Sequence, residues 1–189
     1  MIRIGILGDI GSGKTYVAKK FGYPIFNADE EVAKLYRKDK KIFKKLQKIL
    51  PNYIFSFPIN KKEISEAILS QNSNLKKIVK IVHLEIRKKL RKFLIKNKNS
   101  RIVVLDIPLL LENKINKKKD ILVFVESKKS DIFKRLKKRD NFNKQLLRKF
   151  KNIQLSPSYK KKKSKFIIKN DFSKKTVKKA IRNIIKEII

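Results

Sequence analysis

The 189-residue sequence predicts an α/β fold with a parallel β-sheet, because short apolar segments alternate with longer segments of helical periodicity. The predicted strands span residues 2–7, 25–26, 102–105, 121–125 and 166–168. Each is short and rich in apolar, largely β-branched residues, which is typical of strands buried on both faces. Ligands of such folds bind at the carboxyl ends of the strands, so the residues that follow each strand are candidates for a functional site.

The predicted helices span residues 15–21, 61–95, 128–139, 143–163 and 176–188. Pro157 breaks the fourth of them. Asn27 resembles a helix N-cap, and Glu30, three residues later, completes a capping box. The longest predicted helix carries one buried stripe at three- and four-residue spacing, formed by Leu75, Ile78, Val79, Val82, Ile86, Leu90, Phe93 and Leu94.

The chain carries a large excess of basic residues, with 52 Lys and Arg against 16 Asp and Glu and a formal net charge of +36. Such a balance is typical of nucleic-acid-binding proteins. Here the excess is spread along the whole chain and is not interleaved with aromatic residues, as a base-stacking surface requires. Drift towards the lysine, isoleucine and asparagine that A/T-rich codons encode is a competing explanation. We therefore expect a polyanionic small-molecule substrate and no specific nucleic acid, with a basic nucleic-acid-binding protein as the alternative.

The chain contains no cysteine, which excludes disulfides and thiolate metal sites. No apolar run approaches the roughly 18 residues that span a bilayer, and the first predicted strand leaves no room for a signal peptide. We therefore expect a cytoplasmic protein with no membrane partner, folded as a single domain over residues 1–189. The sequence makes no prediction about oligomeric state.

The most specific motif spans Gly8–Thr15, whose sequence Gly-Asp-Ile-Gly-Ser-Gly-Lys-Thr fits the phosphate-binding loop G-x-x-x-x-G-K-[ST]. It lies between a predicted strand and a predicted helix, so that its backbone N–H groups would face phosphate oxygens. Lys14 would reach the β/γ-phosphates, and the Thr15 hydroxyl would ligate Mg²⁺. The expected nucleotide-binding residues are Gly8, Gly11, Ser12, Gly13, Lys14, Thr15 and Tyr16.

The loop indicates a nucleoside triphosphate but not its use. A GTPase needs an Asn-Lys-x-Asp segment, and residues 116–120 contain one residue too many for that pattern. Motor and helicase ATPases are usually larger, so a chain of this size favours a small-molecule kinase. Asp106 ends a buried strand, where a carboxylate beside such a loop would hold Mg²⁺.

Other polar residues have both a functional and a structural interpretation. Asp29 follows the second strand. Its carboxylate could accept a proton from an acceptor hydroxyl, or it could only stabilise a helix N-terminus through its negative charge. His83, the only histidine, lies one helical turn from Arg87, and the pair could bind phosphate or be structural. Arg135 and Arg139 lie four apart on one predicted helix and could face phosphate oxygens or solvent.

Several segments resemble the pattern of the dephospho-coenzyme A kinases, which catalyse the last step of coenzyme A synthesis. Besides the phosphate loop, the matching segments are residues 25–31 (Ile-Phe-Asn-Ala-Asp-Glu-Glu), 82–87 (Val-His-Leu-Glu-Ile-Arg), 103–112 (Val-Val-Leu-Asp-Ile-Pro-Leu-Leu-Leu-Glu) and 154–170. In the last of these, Gln154, Lys160 and Asn170 keep the family's spacing. The block from Pro108 to Glu112 is the most diagnostic, because other kinases lack it.

The resemblance implies a parallel-sheet P-loop kinase fold with a helical acceptor-binding insert over residues 58–97 and a mobile lid over residues 141–165. It implies Mg²⁺ and ATP, with transfer of the γ-phosphate to the 3′-hydroxyl of dephospho-coenzyme A. The residues it implies are Lys14, Asp29 and Arg139 for catalysis, and His83, Arg87 and Lys160 for the acceptor. Asn170 would bind adenine or cap the final helix. Another small-molecule kinase, such as a nucleoside monophosphate kinase, is the alternative.

The chain departs from the family's pattern at several positions, of which two lie closest to the predicted phosphate and catalytic residues. Asn27 stands where the family has the first of two carboxylates, and Asp9 stands at a loop position that is usually glycine. We expect these departures to affect affinity and to leave Lys14, Thr15 and Asp29 in their roles.

Overall fold

The computed structural model describes residues 1–139 and 142–189, and within these ranges five strands form one sheet. The strands are β1 (Ile2–Gly8), β2 (Ile25–Asn27), β3 (Ile102–Asp106), β4 (Ile121–Glu126) and β5 (Phe166–Lys169). Their order across the sheet is β2-β3-β1-β4-β5, and each neighbouring pair is parallel. The predicted α/β fold with a parallel sheet is therefore confirmed, and the carboxyl ends of the strands share one edge.

The helices in the described ranges are α1 (Lys14–Lys20), α2 (Ala28–Lys38), α3 (Lys40–Ile49), α4 (Lys61–Ser70), α5 (Asn72–Lys96), α6 (Lys129–Lys137), α7 (Lys144–Asn152), α8 (Pro157–Lys163) and α9 (Lys174–Ile188). Pro157 begins α8, so the predicted break at this proline is confirmed. In the same described ranges, no helix is long and apolar enough to cross a membrane.

The prediction of one helix over residues 61–95 is wrong, because α4 ends at Ser70 and α5 begins at Asn72. The intervening Gln71 has extended backbone angles, with φ −140° and ψ 139°. Short polar side chains cluster at this point, and such side chains compete with the helix for backbone hydrogen bonds. The apolar periodicity continues across this break, so the sequence pattern did not reveal the break.

The last turn of α4 has its carbonyl groups satisfied by side chains. Asn74 Nδ2 donates to Ala67 O at 2.8 Å, and Lys149 Nζ donates to Ile68 O at 2.7 Å and to Leu69 O at 2.9 Å. The last carbonyl groups of a helix have no hydrogen-bond partner within the helix. A cation at this end also interacts favourably with the negative end of the helix dipole. Lys149 therefore ties α7 to α4.

The chain divides into two compact units. The first comprises Met1–Asn27, Leu94–Phe142 and Gln154–Ile189, and the second comprises Ala28–Phe93 and Asn143–Ile153. The second unit is larger than the predicted insert over residues 58–97, since it also contains α2, α3 and α7. The predicted lid over residues 141–165 is divided between the units after Ile153, and its first residue, Asn141, lies outside the described residues.

The core of the first unit lies between the sheet and the helices α1 and α9. Alternate strand residues face these helices, and they pack against apolar side chains of α1 and α9. The buried members of this cluster are Ile4, Ile6, Val17, Ala18, Phe21, Ile102, Val104, Val123, Val125, Ile168, Val177, Ile181 and Ile184. Burying a side chain of this size contributes about 1.5–3 kcal/mol, so this layer holds the strand ends in place.

The second unit has its own apolar core, to which α5 contributes most. Leu75, Ile78, Val82, Ile86 and Leu90 are all buried along α5. These are five of the eight residues predicted for the stripe, and the other three are only half-buried. The helical periodicity thus identified the buried face of α5 correctly.

Candidate active site

The phosphate loop joins β1 to α1 at the carboxyl edge of the sheet. Within it, Ser12 N donates to Asp9 O at 3.2 Å, and Val17 N donates to Gly13 O at 3.0 Å as α1 begins. Gly11 and Gly13 have left-handed backbone angles, with φ of 86° and 88°. Only glycine adopts this conformation without strain, so Gly11 and Gly13 define the path of the loop.

Gly13 also faces the end of β5 at close range. A Cβ atom at Gly13 would lie 2.4 Å from Asn170 Nδ2, well inside van der Waals contact. Asn170 is itself only 2 % exposed. The loop and the residue after β5 therefore fit together only because residue 13 has no side chain.

Asn170 and Ser127 hold the carbonyl of Ser12. Asn170 Nδ2 donates to Ser12 O at 2.8 Å, and Ser127 Oγ lies 3.0 Å from the same oxygen and 2.9 Å from Asn170 O. With one proton, the Ser127 hydroxyl donates to one of these carbonyls at a time. Ser127 directly follows β4, and the sequence analysis missed it. Its position after a predicted strand was the available signal.

The alternative in which Asn170 caps the final helix is wrong. Ser173 is the N-cap of α9 and accepts a hydrogen bond from Thr176 N at 3.3 Å. Asn170 Oδ1 instead accepts from Phe172 N at 3.0 Å. The structure thus gives Asn170 a role in holding the phosphate loop, while adenine binding by this residue stays a prediction.

Lys14 lies along the loop. Its Nζ donates to Asp9 O at 2.8 Å and to Gly8 O at 3.2 Å. The Asp9 carboxylate accepts from Ile10 N through Oδ1 at 2.7 Å. The ammonium group therefore stands at the loop itself, where phosphates would bind, and part of the charge of Asp9 is taken up by a backbone N–H.

The Ser12 hydroxyl at this loop is buried without a hydrogen-bond partner among the described residues, as is the Tyr16 hydroxyl on α1, whose side chain packs against the core of the first unit. An unsatisfied buried hydroxyl costs about 1–3 kcal/mol. A phosphate oxygen accepts from such a donor, so the polar groups at the loop fit a nucleoside polyphosphate.

Thr15 and Asp106, the two residues predicted to hold Mg²⁺, lie together. Thr15 Oγ1 donates to Asp106 Oδ2 at 2.6 Å, and Asn27 Nδ2 donates to the same oxygen at 3.0 Å. Asp106 is 3 % exposed. A hydroxyl and a carboxylate are oxygen ligands of the kind that Mg²⁺ prefers. In the described part of the chain, no group of three or more His, Asp or Glu side chains forms a metal cluster.

Lys160 is buried, although it lies in a lysine run that the sequence placed on a surface helix. Its Nζ lies 2.8 Å from Glu112 Oε1 and 3.1 Å from Gln154 Oε1. Leu155 N donates to the same Glu112 oxygen at 2.9 Å. Lys161, the next residue, is exposed. The last residue of the Pro108–Glu112 block thus anchors α8, and acceptor binding by Lys160 stays a prediction.

The placement of Arg139 on the same helix as Arg135 is wrong. Helix α6 ends at Lys137, and Arg139 N donates to Leu136 O in the turn that follows. The Arg135 guanidinium lies over the ring of Phe172, 4.1 Å from its centroid. A catalytic role for Arg139 stays a prediction.

The second unit contains Asp29, His83 and Arg87. Asp29 is exposed in the first turn of α2, where its negative charge interacts favourably with the positive end of the helix dipole.

His83 lies on α5, and its Nε2 atom is buried without a hydrogen-bond partner among the described residues. Burial lowers the pKa of His83 and the positive charge of Arg87 lowers it further, so the imidazole is neutral at pH 7. A neutral imidazole can donate through one nitrogen and accept through the other.

Comparison with known proteins identifies the family. The dephospho-CoA kinase family model matches residues 2–176. The dephospho-CoA kinase of Wolbachia pipientis wMel is 34% identical over 187 residues, which cover 96% of this chain and 95% of that protein. The chain belongs to the dephospho-CoA kinase family.

Solved structures share the fold. The crystal structure of TT1252 from Thermus thermophilus aligns with a TM-score of 0.79 and 25% identity, covering 100% of this chain and 98% of that chain. The dephospho-CoA kinase from Campylobacter jejuni aligns with a TM-score of 0.63 and 22% identity, covering 98% and 96%. The predicted P-loop kinase fold is therefore confirmed.

Substituting Gly13 tests the fit of the loop against Asn170. In Gly13→Ala, the added Cβ displaces Asn170 or the loop, so we expect the affinity for a non-hydrolysable ATP analogue to fall by about tenfold or more in calorimetric titration. The control is Gly22→Ala, which has the same left-handed backbone (φ 75°) and no atom within 4 Å of the added Cβ. It should lose about 1–2 kcal/mol of stability and keep wild-type affinity. Equal affinity in the two variants would contradict this role of Gly13.

Substituting Lys160 tests the buried ion pair. Lys160→Met leaves the Glu112 carboxylate buried without its cation, so we expect urea denaturation to show a loss of about 3–5 kcal/mol. The double variant Glu112→Gln, Lys160→Met should recover much of this lost stability, because the buried group left without a cation is then uncharged. The control is Lys161→Met, which breaks the exposed 2.6 Å pair with Glu126 and should cost no more than about 1 kcal/mol. Equal stability of the two single variants would show that the Lys160 pair does not anchor α8.

Proposed function

We propose that the chain transfers the γ-phosphate of ATP to the 3′-hydroxyl of dephospho-coenzyme A and so produces coenzyme A. The observation that carries this proposal is the family match over residues 2–176, together with a phosphate loop at the sheet edge whose buried polar groups fit a polyphosphate. Phosphoryl transfer needs little covalent chemistry from a protein. It needs a positioned nucleophile and stabilisation of the charge on the transferred group.

The phosphate loop would supply the nucleotide half of the site. Lys14 brings a positive charge to the β- and γ-phosphates, where negative charge is greatest. The Ser12 hydroxyl would donate a hydrogen bond to a phosphate oxygen, which would satisfy a group that is otherwise buried without a partner among the described residues. Asn170 and Ser127 would act by keeping the Ser12 carbonyl turned away from the phosphates.

Thr15 and Asp106 would hold the Mg²⁺ that accompanies ATP. Their oxygens lie 2.6 Å apart and match the ligand preference of that ion. When bound, Mg²⁺ neutralises charge on the phosphate oxygens.

The other predicted site residues would act on the acceptor and on the transferred phosphate. We assign Asp29 to the 3′-hydroxyl, which its carboxylate would orient and whose proton it would accept. His83 and Arg87 would bind acceptor oxygens, with the neutral imidazole donating one hydrogen bond and the guanidinium providing charge. Arg139 would contact the transferred phosphate, and Lys160 the acceptor.

The decisive experiment is mass-resolved product analysis after incubation with ATP, Mg²⁺ and dephospho-coenzyme A. We expect a product heavier than the acceptor by one phosphoryl group, and none with Lys14→Ala, because that variant lacks the charge that stabilises the transition state. A parallel incubation with nucleoside monophosphates should give no product. Turnover of those acceptors alone, or an active Lys14→Ala variant, would overturn the proposal.

Asp29→Asn separates the acceptor role of Asp29 from nucleotide binding. We expect kcat to fall by about a hundredfold or more, the usual effect of losing a positioned base, with little change in ATP affinity. The matched control is Glu30→Gln, which removes an exposed carboxylate from the same first turn of α2. It should leave kcat within about threefold of wild type, because it removes a negative charge from the same helix N-terminus without removing the Asp29 carboxylate. An equal loss of kcat in both variants would show that Asp29 acts only on the helix.

A further inference from the structure

Asn27 and Asp106 are opposite residues at the carboxyl ends of two neighbouring strands. The parallel register of β2 and β3 pairs them directly, and Asn27 Nδ2 lies 3.0 Å from Asp106 Oδ2. The two residues are 9 % and 3 % exposed. Asn27 is thus placed by the sheet itself, and its amide faces a carboxylate that solvent hardly reaches.

The same carboxylate oxygen receives two hydrogen bonds. Asp106 Oδ2 accepts from the Thr15 hydroxyl at 2.6 Å as well as from the Asn27 amide. A carboxylate is stable in a buried position only when hydrogen bonds or a cation replace its hydration. An amide donor also fixes the rotation of the carboxylate plane, because the amide is held by its own strand.

We propose that Asn27 is a positioning residue for Asp106, whose carboxylate it holds in the correct orientation for the divalent cation that accompanies the nucleotide. This inference rests on the proposed function of Thr15 and Asp106. Asn27 donates without carrying a charge, so Asp106 has a partner in both the presence and the absence of the cation. A carboxylate in its place would put two negative charges about 3 Å apart, which only a cation or a proton would relieve.

Three variants separate hydrogen bonding from charge. Asn27→Leu keeps the size and removes the donor, Asn27→Asp keeps the shape and replaces the donor with a charge, and Asn72→Asp adds the same charge at an exposed position. Two properties are measured. One is the affinity for Mn²⁺, a paramagnetic substitute for Mg²⁺, in the presence of a non-hydrolysable ATP analogue, and the other is the thermal midpoint with EDTA or with Mg²⁺ alone.

We expect Asn27→Leu to weaken Mn²⁺ binding by about tenfold, as loss of a residue that orients a metal ligand usually does. Its affinity for the ATP analogue in EDTA should stay at the wild-type value, which a general structural defect would not allow. Asn27→Asp should melt below wild type in EDTA and regain much of the difference in Mg²⁺. Asn72→Asp should show neither effect.

Wild-type Mn²⁺ affinity in Asn27→Leu would overturn the proposal, as would a thermal midpoint of Asn27→Asp that does not respond to Mg²⁺. If Asn27→Leu does not fold, Asn27→Ala, which also lacks the donor, is measured in the same way. Neither measurement needs the acceptor or turnover, so a wild-type protein that fails to phosphorylate dephospho-coenzyme A would refute the proposed function and leave this test intact.

Discussion

The carbonyl of Ser12 is the point on which the candidate active site depends. A phosphate loop binds anions because its N–H groups face inward, and its carbonyl groups must therefore be satisfied on the other side. Here Asn170 donates to that carbonyl across 158 positions of sequence, and the Ser127 hydroxyl lies within hydrogen-bond distance of it. The loop conformation is thus fixed by residues after β4 and β5. Stability of the sheet and competence of the loop are consequently linked.

The parallel sheet explains why these residues meet. Each strand ends at the same edge, and polar residues at or just after the strand ends, Asn27, Asp106, Ser127 and Asn170, point to one small region around the loop. Two of them hold the Ser12 carbonyl, and the other two form the oxygen-rich position beside Thr15. The apolar layer of α1 and α9 packs against the sheet and keeps the strand ends in register.

The sequence revealed those features that local patterns encode. Apolar periodicity predicted the strands and the buried face of α5, and residue spacing predicted the loop, Thr15 and Asp106. Such local patterns could not reveal contacts between residues that are far apart in the sequence. Lys149 is 81 positions from the carbonyl of Ile68 that it caps. Only the spacing that resembles the family, and no residue around it, distinguishes Lys160 from its exposed lysine neighbours. Burial selects one lysine of that run, and burial depends on where Glu112 lies.

The charge balance gives the buried carboxylates unusual importance. With 52 basic and 16 acidic residues, the folded chain repels itself, and every acid that pairs closely with a cation offsets part of that repulsion. Two acids with little-exposed side chains are paired with specific cations, Glu112 with Lys160 at 2.8 Å and Asp120 with Arg3 at 3.0 Å. The remaining positive field attracts any polyanion, so it raises encounter rates without discriminating among ligands. Discrimination must come from the short-range geometry at the loop, where Asn170 and Ser127 hold the Ser12 carbonyl and Gly13 fits closely against Asn170.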